Sequence, residues 1–296
     1  MNENFQKLGY QVLGCRYVNG KKIIETDSGE FFVQPRKSNK AEVYEYLEKR
    51  DFPFFLPLVN SYRDSYEIYP YVTDSITKED KAIDLMHLLS LLHTKTTSYQ
   101  DVVLDQVKET YEDIIQRLEY LQLYYRNLQD YIESKVYMAP EESFLIQHMS
   151  LIYEQLYFGK KFIEEWYQFK SKAKRERIVF LHNNLSLANF IDKKSPMLLK
   201  WDSAKKGYPV YDFYSFYKNH YIELEMVSLF QSYQSKFQFS DDELQLFYSL
   251  LCLIWKIEFK ENHYDNTIRV RELVLYIQKS RLFFLKQQQE NQEADN

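Results

Sequence analysis

Apolar and polar positions alternate through the first quarter of the chain, then switch to helical spacing for most of the remainder. Residues 10–13 and 17–18 read as extended and lead into Asn19-Gly20, a dipeptide suited to a tight hairpin turn. Residues 22–26 form the returning strand, Asp27-Ser28-Gly29 a second turn, and 30–34 a third strand. Ser38 stands where it can cap a helix over 40–50, in which Val43, Tyr44 and Leu47 fall at helical spacing. Two further strands are predicted over 56–61 and 66–72. From Lys78 the spacing is helical: over 82–97, then 101–137 and 142–173 with a break near Ala139-Pro140, then 213–238, 241–260 and 266–288. Ser240 and Glu243 predict a capping box, and the polar residues 289–296 predict a disordered tail.

One stretch departs from the helical pattern. Residues 178–181 are an apolar run that reads as a buried strand, followed by a polar loop from His182 to Asn189. Phe190-Ile191 and Leu198-Leu199 then flank a polar turn over 192–196, the layout of a short hairpin that returns to Lys200-Trp201-Asp202.

Composition narrows the reading. Of 296 residues, 45% are hydrophobic and 17% aromatic, with 27 Tyr and 21 Phe, enough for a substantial aromatic core. The net charge of −5, with both signs interspersed, gives no basic footprint for nucleic acid. Cys15 and Cys252 form no metal or redox motif and predict a reduced, cytoplasmic protein. The start of the sequence shows no signal region, and the most apolar stretch, 244–259, is too interrupted to span a bilayer. His87 and His148 pair with no second ligand at helical spacing, so neither predicts a metal site. The run over 170–177 is most simply a solvated basic helix end.

His182, Asn189 and the hairpin that follows resemble the catalytic region of the aminoglycoside phosphotransferase and choline kinase superfamily, and most closely its spore-coat (CotS-type) and homoserine-kinase-like branches. That resemblance implies an α+β, protein-kinase-like two-lobe fold, with a small β-rich N-terminal lobe over 1–72. A large, mostly helical C-terminal lobe over 73–288 then carries the catalytic-loop-like segment 178–202. Tyr69-Pro70-Tyr71-Val72 falls where the hinge would lie. His93 resembles the structural histidine that opens the large lobe, and Asp212, in a segment like P-x-x-D-L-A, the structural aspartate that tethers the loop.

The resemblance also shows departures. Asn184 stands at the position of the catalytic aspartate, Lys200 at that of the metal-binding aspartate, and Gln34 at that of the strand lysine that grips the phosphates. Pro35 makes a register shift to Arg36 or Lys37 unfavourable, Gly14 and Gly20 form no phosphate loop, and Glu42, Glu45 and Glu48 read as a solvated face. An amide orients a hydroxyl but does not accept its proton, and an ammonium repels a metal ion. The main expectation is therefore a pseudokinase: a binding or structural module in a bacterial, sporulation or spore-coat setting, with a protein partner and no cofactor. The alternative is an ATP- and Mg²⁺-dependent small-molecule phosphotransferase, for an aminoglycoside-, choline- or homoserine-type substrate. Its metal site would be shifted onto Asn189 and Asp202, with Asp202 on the same strand face as Lys200. A third reading is a nucleotide sensor without turnover, in which Lys200 meets phosphate directly. Against that stands a plain Lys200–Asp202 ion pair.

Overall fold

The computed structural model describes residues 2–18, 21–35, 41–56, 58–59, 66–71, 77–191 and 196–294. The predicted Asn19-Gly20 turn, the Ser38 cap, Arg36, Lys37, Val72 and Asp192 lie outside the described residues. Two compact units emerge. The first comprises Met1–Thr97, Val179–Gly207 and Ser232–Phe237; the second comprises Ser98–Ile178, Tyr208–Gln231 and Gln238–Asn296. Contacts therefore group residues 179–202 of the catalytic-loop-like segment with the β-rich N-terminal part.

In the first unit, a short helix α1 (Asn2–Lys7) precedes the strands β1 (Val12–Val18), β2 (Lys21–Thr26), β3 (Gly29–Pro35) and β4 (Tyr66–Pro70), which form one antiparallel sheet in that order. The register sets Ile24 opposite Phe31 and Val33 opposite Ile68. Ile24, Phe31 and Ile68 pack with Phe5 into a buried core, each side chain contributing about 1.5–3 kcal/mol on burial. The β2–β3 turn needs glycine: Gly29 sits at φ 131°, and its carbonyl accepts the Thr26 hydroxyl at 2.8 Å. Of the strand predicted over 56–61, residues 57, 60 and 61 lie outside the described residues; Val59 donates its amide to the Ile68 carbonyl at 2.9 Å, and Phe55, just before the predicted strand, bridges Leu198. Pro53 and Pro57 remove backbone donors on both sides of it.

Helix α2 (Ala41–Lys49) buries Tyr44 and Leu47, while Glu42, Glu45 and Glu48 are exposed and Glu45 pairs with Lys49, the predicted solvated face. Helix α3 (Lys78–Thr96) begins at Thr77, whose hydroxyl accepts the Asp80 amide. Inside it His93 is fully buried, its Nδ1 2.7 Å from the Tyr233 hydroxyl, the structural role the sequence predicts.

The second unit is helical apart from two strand segments. Strand β5 (Ser98–Asp101) was not anticipated from the spacing. Helices α4 (Leu104–Glu133), α5 (Pro140–Gln147) and α6 (Met149–Lys172) follow. Strand β6 (Arg175–Leu181) pairs with β5 through its first half. In the first unit, its second half pairs with β9 (Lys205–Gly207), beyond the short hairpin β7 (Phe190–Ile191) and β8 (Met197–Leu198).

Two predicted helices are shorter than their spacing suggests. Residues 213–238 divide into α7 (Val210–His220) and α8 (Met226–Gln234). Helix α9 (Asp241–Leu251) stops at Cys252, because the Tyr124 and Tyr125 hydroxyls donate to the carbonyls of Ile257 and Trp255 and hold that segment irregular. Helix α10 (His263–Ala294) runs on through residues predicted to be disordered; Gln, Glu and Ala are all good helix formers.

The abundant aromatics go largely to the core, where Phe213, Phe230, Phe247 and Phe283 interlock at 5.1–6.5 Å. The 170–177 run is a solvated basic end only in part: Lys172, Lys174 and Arg175 are exposed, whereas Lys170 and Arg177 are drawn inward. Lys170 is buried against Asp242 at 2.7 Å, and Arg177 forks onto the carboxylate of buried Glu243, which also accepts the Ser240 amide that starts α9. These two basic residues turn inward because acids from α9 meet them there.

Candidate functional site

The loop after β6 keeps the backbone architecture that its sequence predicts. His182 is fully buried, its Nε2 is 2.7 Å from the Leu199 carbonyl, and its ring meets Trp201 edge-on at 4.7 Å. Asn189 is also buried. Its amide nitrogen donates to the Asn184 carbonyl at 2.9 Å, and its own carbonyl accepts the Leu199 amide at 2.8 Å. His182 and Asn189 thereby clamp the loop to the strand end that precedes Lys200. Asn183 holds a left-handed conformation, φ 55°, and donates to the Ser203 carbonyl. Ser186 caps the single turn of 3₁₀ helix over Leu187–Asn189 by accepting the Ala188 amide.

Lys200 is the second left-handed residue, at φ 60°, a conformation costing about 1–2 kcal/mol for a residue with a Cβ. It is exposed and forms no hydrogen bond or ion pair among the described residues, so the expected Lys200–Asp202 pair is not made. Nor do the two share a strand face: after Lys200 the chain enters a 3₁₀ turn over Trp201–Ser203 that buries Trp201 and leaves Asp202 exposed. The left-handed residue breaks the two-residue alternation on which the shifted metal site depended.

Gln34 is brought to the same place. Gln34 and Lys200 line one cavity, walled by Phe32, Tyr44, Tyr69 and Leu199. Its free volume is about 20 Å³, room for roughly one water molecule. Phe32 stacks on Tyr69 at 5.1 Å, and Tyr69, Leu56, Ile191 and Leu199 form a buried apolar cluster against it. The Tyr69 hydroxyl is driven far above its ordinary range, first by burial and then by hydrogen-bonded Tyr44 and Glu67. It is a neutral donor at physiological pH.

Glu67 is the residue that sequence reasoning missed. It lies on β4 directly opposite Gln34, is 1% exposed, and accepts the Gln34 amide at 2.8 Å. Protein kinases pair a strand lysine with a helix glutamate at this point. Here the acid comes from the neighbouring strand, and the partner is a neutral amide. A polar residue amid the apolar positions Tyr66, Ile68 and Tyr69 was the available signal.

The kinase-like fold implies Mg²⁺ and ATP, and the fit of these residues to them is poor. One atom suits a cation: the buried Oδ1 of Asn189, which has no hydrogen-bond partner among the described residues. The rest does not suit it. No three His, Cys, Asp or Glu side chains among the described residues cluster as a metal site. Lys200, which the resemblance sets at a metal-ligand position, carries an ammonium, and among the described residues the cavity beside Gln34 has a free volume of only about 20 Å³. In the second unit, Asp212 is fully buried in the first turn of α7.

No protein-family model matches the sequence, and no curated protein sequence matches it. Solved structures do. An aminoglycoside phosphotransferase from Alicyclobacillus acidocaldarius superposes with a TM-score of 0.68 at 9% identity, covering 95% of this chain and 93% of that one. Spectinomycin phosphotransferase in complex with ADP and spectinomycin gives 0.55 at 9% identity, over 95% of this chain and 97% of that chain. Its AMP-bound complex gives 0.52 at 11% identity, over 93% and 91%. This chain has the protein-kinase-like α+β fold of the aminoglycoside phosphotransferases, as the 182–202 pattern predicts. Identity this low carries the fold alone; the chemistry rests on the residues.

Proposed function

We propose that this chain keeps the phosphotransferase fold without phosphoryl transfer and acts as a binding or structural module for a protein partner, with no resident cofactor. The observation that carries the reading is the closed cavity at Gln34 and Lys200, filled by the stacked Phe32 and Tyr69. Small-molecule sites run to about 300–1,000 Å³, more than tenfold larger. Three chemical positions point the same way. Gln34 offers no cation to phosphate, Asn184 no basicity toward a substrate hydroxyl, and Lys200 no anionic ligand to a metal. The resemblance of the 182–202 segment to spore-coat members supports a sporulation setting.

A second reading is small-molecule phosphotransfer, for an aminoglycoside-, choline- or homoserine-type alcohol. Fold comparison favours it, since the similar solved structures are phosphotransferases and one holds ADP. The preserved loop clamp and the unpartnered Asn189 oxygen favour it too.

Thermal unfolding with ATP and GTP, each with Mg²⁺ and with EDTA, separates the readings, because a ligand of the native state raises the melting temperature by mass action. No shift at millimolar nucleotide is expected. A Mg²⁺-dependent shift overturns the non-catalytic reading in favour of the phosphotransferase, and a shift that survives EDTA overturns it in favour of a sensor built on Lys200. In the variant Phe32→Ala/Asn184→Asp/Lys200→Asp, nucleotide binding should appear only if the cleft is closed by its side chains alone.

A further inference from the structure

A second cavity in the first unit, of about 590 Å³, lies along one face of α3, away from the residues at Gln34 and Lys200. Its size falls in the range of small-molecule sites. The walls are apolar, built from Leu88 and Leu91 on α3 with Phe54 and Pro196 opposite. Two charged residues stand at the exposed rim: Asp84, one turn before Leu88, and Lys236. Neither makes an ion pair or hydrogen bond among the described residues, with each other or with any other group. Among the described residues, an acid and a base thus share an apolar cavity without neutralising each other.

The third polar group is His87, half-buried and within reach of both charges. Its Nε2 lies 3.0 Å from the Ser232 hydroxyl, and the residue lines the cavity. Burial, and then the Lys236 charge, hold this imidazole below its usual range, with Asp84 opposing. At neutral pH His87 is uncharged, and the site carries one negative and one positive charge. The Ser90 and Thr94 hydroxyls donate to the His87 and Ser90 carbonyls, so they meet a guest as acceptors.

We infer that this cavity is a binding site for a small zwitterion: an apolar body against Leu88, Leu91, Phe54 and Pro196, a cationic end at Asp84 and an anionic end at Lys236. A guest of net charge zero matches the site's own balance, whereas a purely anionic or cationic guest meets one rim charge of its own sign. Phosphoryl-transfer chemistry is not involved, and the inference stands whether or not the chain binds nucleotide.

Titration of the full chain with ε-aminocaproate, caproate and hexylamine tests it, reading heat and the His87 imidazole resonances. These probes share one hydrocarbon body and differ only in their charged ends. The expected result is that ε-aminocaproate binds tightest and shifts the His87 signals. Asp84→Asn and Lys236→Gln, both at exposed positions that the fold does not need, should each weaken it by about 5-fold, the scale of one exposed ion pair. Asp84→Asn should leave caproate binding unreduced, and Lys236→Gln hexylamine binding. Absence of binding at millimolar probe overturns the inference. So does equal binding of all three probes, or binding indifferent to both substitutions, which would mark a plain apolar cavity.

Discussion

At Gln34 a neutral amide, and no cation, meets a buried carboxyl from the neighbouring strand. A buried carboxylate, Glu67, takes its hydrogen bond from a neutral amide at 2.8 Å and a second from the Tyr69 hydroxyl. Leaving a buried acceptor without its donor costs about 1–3 kcal/mol, so Gln34→Ala should cost about 2 kcal/mol. Chemical denaturation measures this, and a loss below about 0.5 kcal/mol, the scale of surface substitutions, would show that water reaches Glu67. His182, Asn189 and Gln34 were singled out by resemblance to the family's motifs, and the fold gives each a partner: the Leu199 carbonyl, the Asn184 carbonyl and Glu67. The placing of Asp202 was not legible. Its predicted place assumed an extended Lys200, and nothing in Leu199-Lys200-Trp201 announces a left-handed lysine.

Elements were legible where one face decides and illegible where another element intervenes. The amphipathic spacing of α4 and α6 gave both helices, yet no local pattern shows that α9 ends at Cys252, because tyrosines from α4 claim the carbonyls beyond it. Packing among these helices depends on one glycine. A Cβ on Gly159 of α6 would lie 2.7 Å from the Cys252 Cβ and 2.9 Å from Leu118 Cδ2. The leucine tip can yield, but the Cβ fixed to the end of α9 cannot. Gly159→Ala should therefore destabilise by about 1–3 kcal/mol, the usual cost of overpacking, despite the better helix propensity of alanine. Because the clash is with a β-carbon, Cys252→Gly should relieve it and Cys252→Ala should not. A double-mutant cycle reads the difference, and additivity of Gly159→Ala with Cys252→Gly would place the strain elsewhere.

For the whole molecule, the two-unit division was not legible, since it joins segments as distant as 97, 179 and 232 by contacts no local pattern encodes. The acidic composition gave the sign of the charge but not where charge matters to stability. One such place is a buried group in the second unit, where Lys170 meets Asp242 at 2.7 Å and Glu176 at 3.9 Å, and Glu176 also accepts the Tyr208 hydroxyl and the Gln100 amide. Burial alone would raise the Asp242 carboxyl; hydrogen bonds from Lys170 and Ser240 outweigh it and hold the carboxyl below its ordinary value. A carboxyl that is more acidic folded than unfolded contributes its full stability above the unfolded value of about 3.9. That contribution is lost as pH falls through the lower folded value. Unfolding free energy should therefore decline below about pH 4–5. Asp242→Asn should flatten that acid limb and cost about 3 kcal/mol at neutral pH, because the Lys170 ammonium is left buried with only the more distant Glu176. If Asp242→Asn is as stable as the native chain at pH 7, with an unchanged acid limb, then Lys170 is neutralised by Glu176 and Asp242 contributes little. The companion variant Lys170→Met separates the cases, since removing the cation should raise the Asp242 carboxyl and abolish the acid limb only where Asp242 is its source.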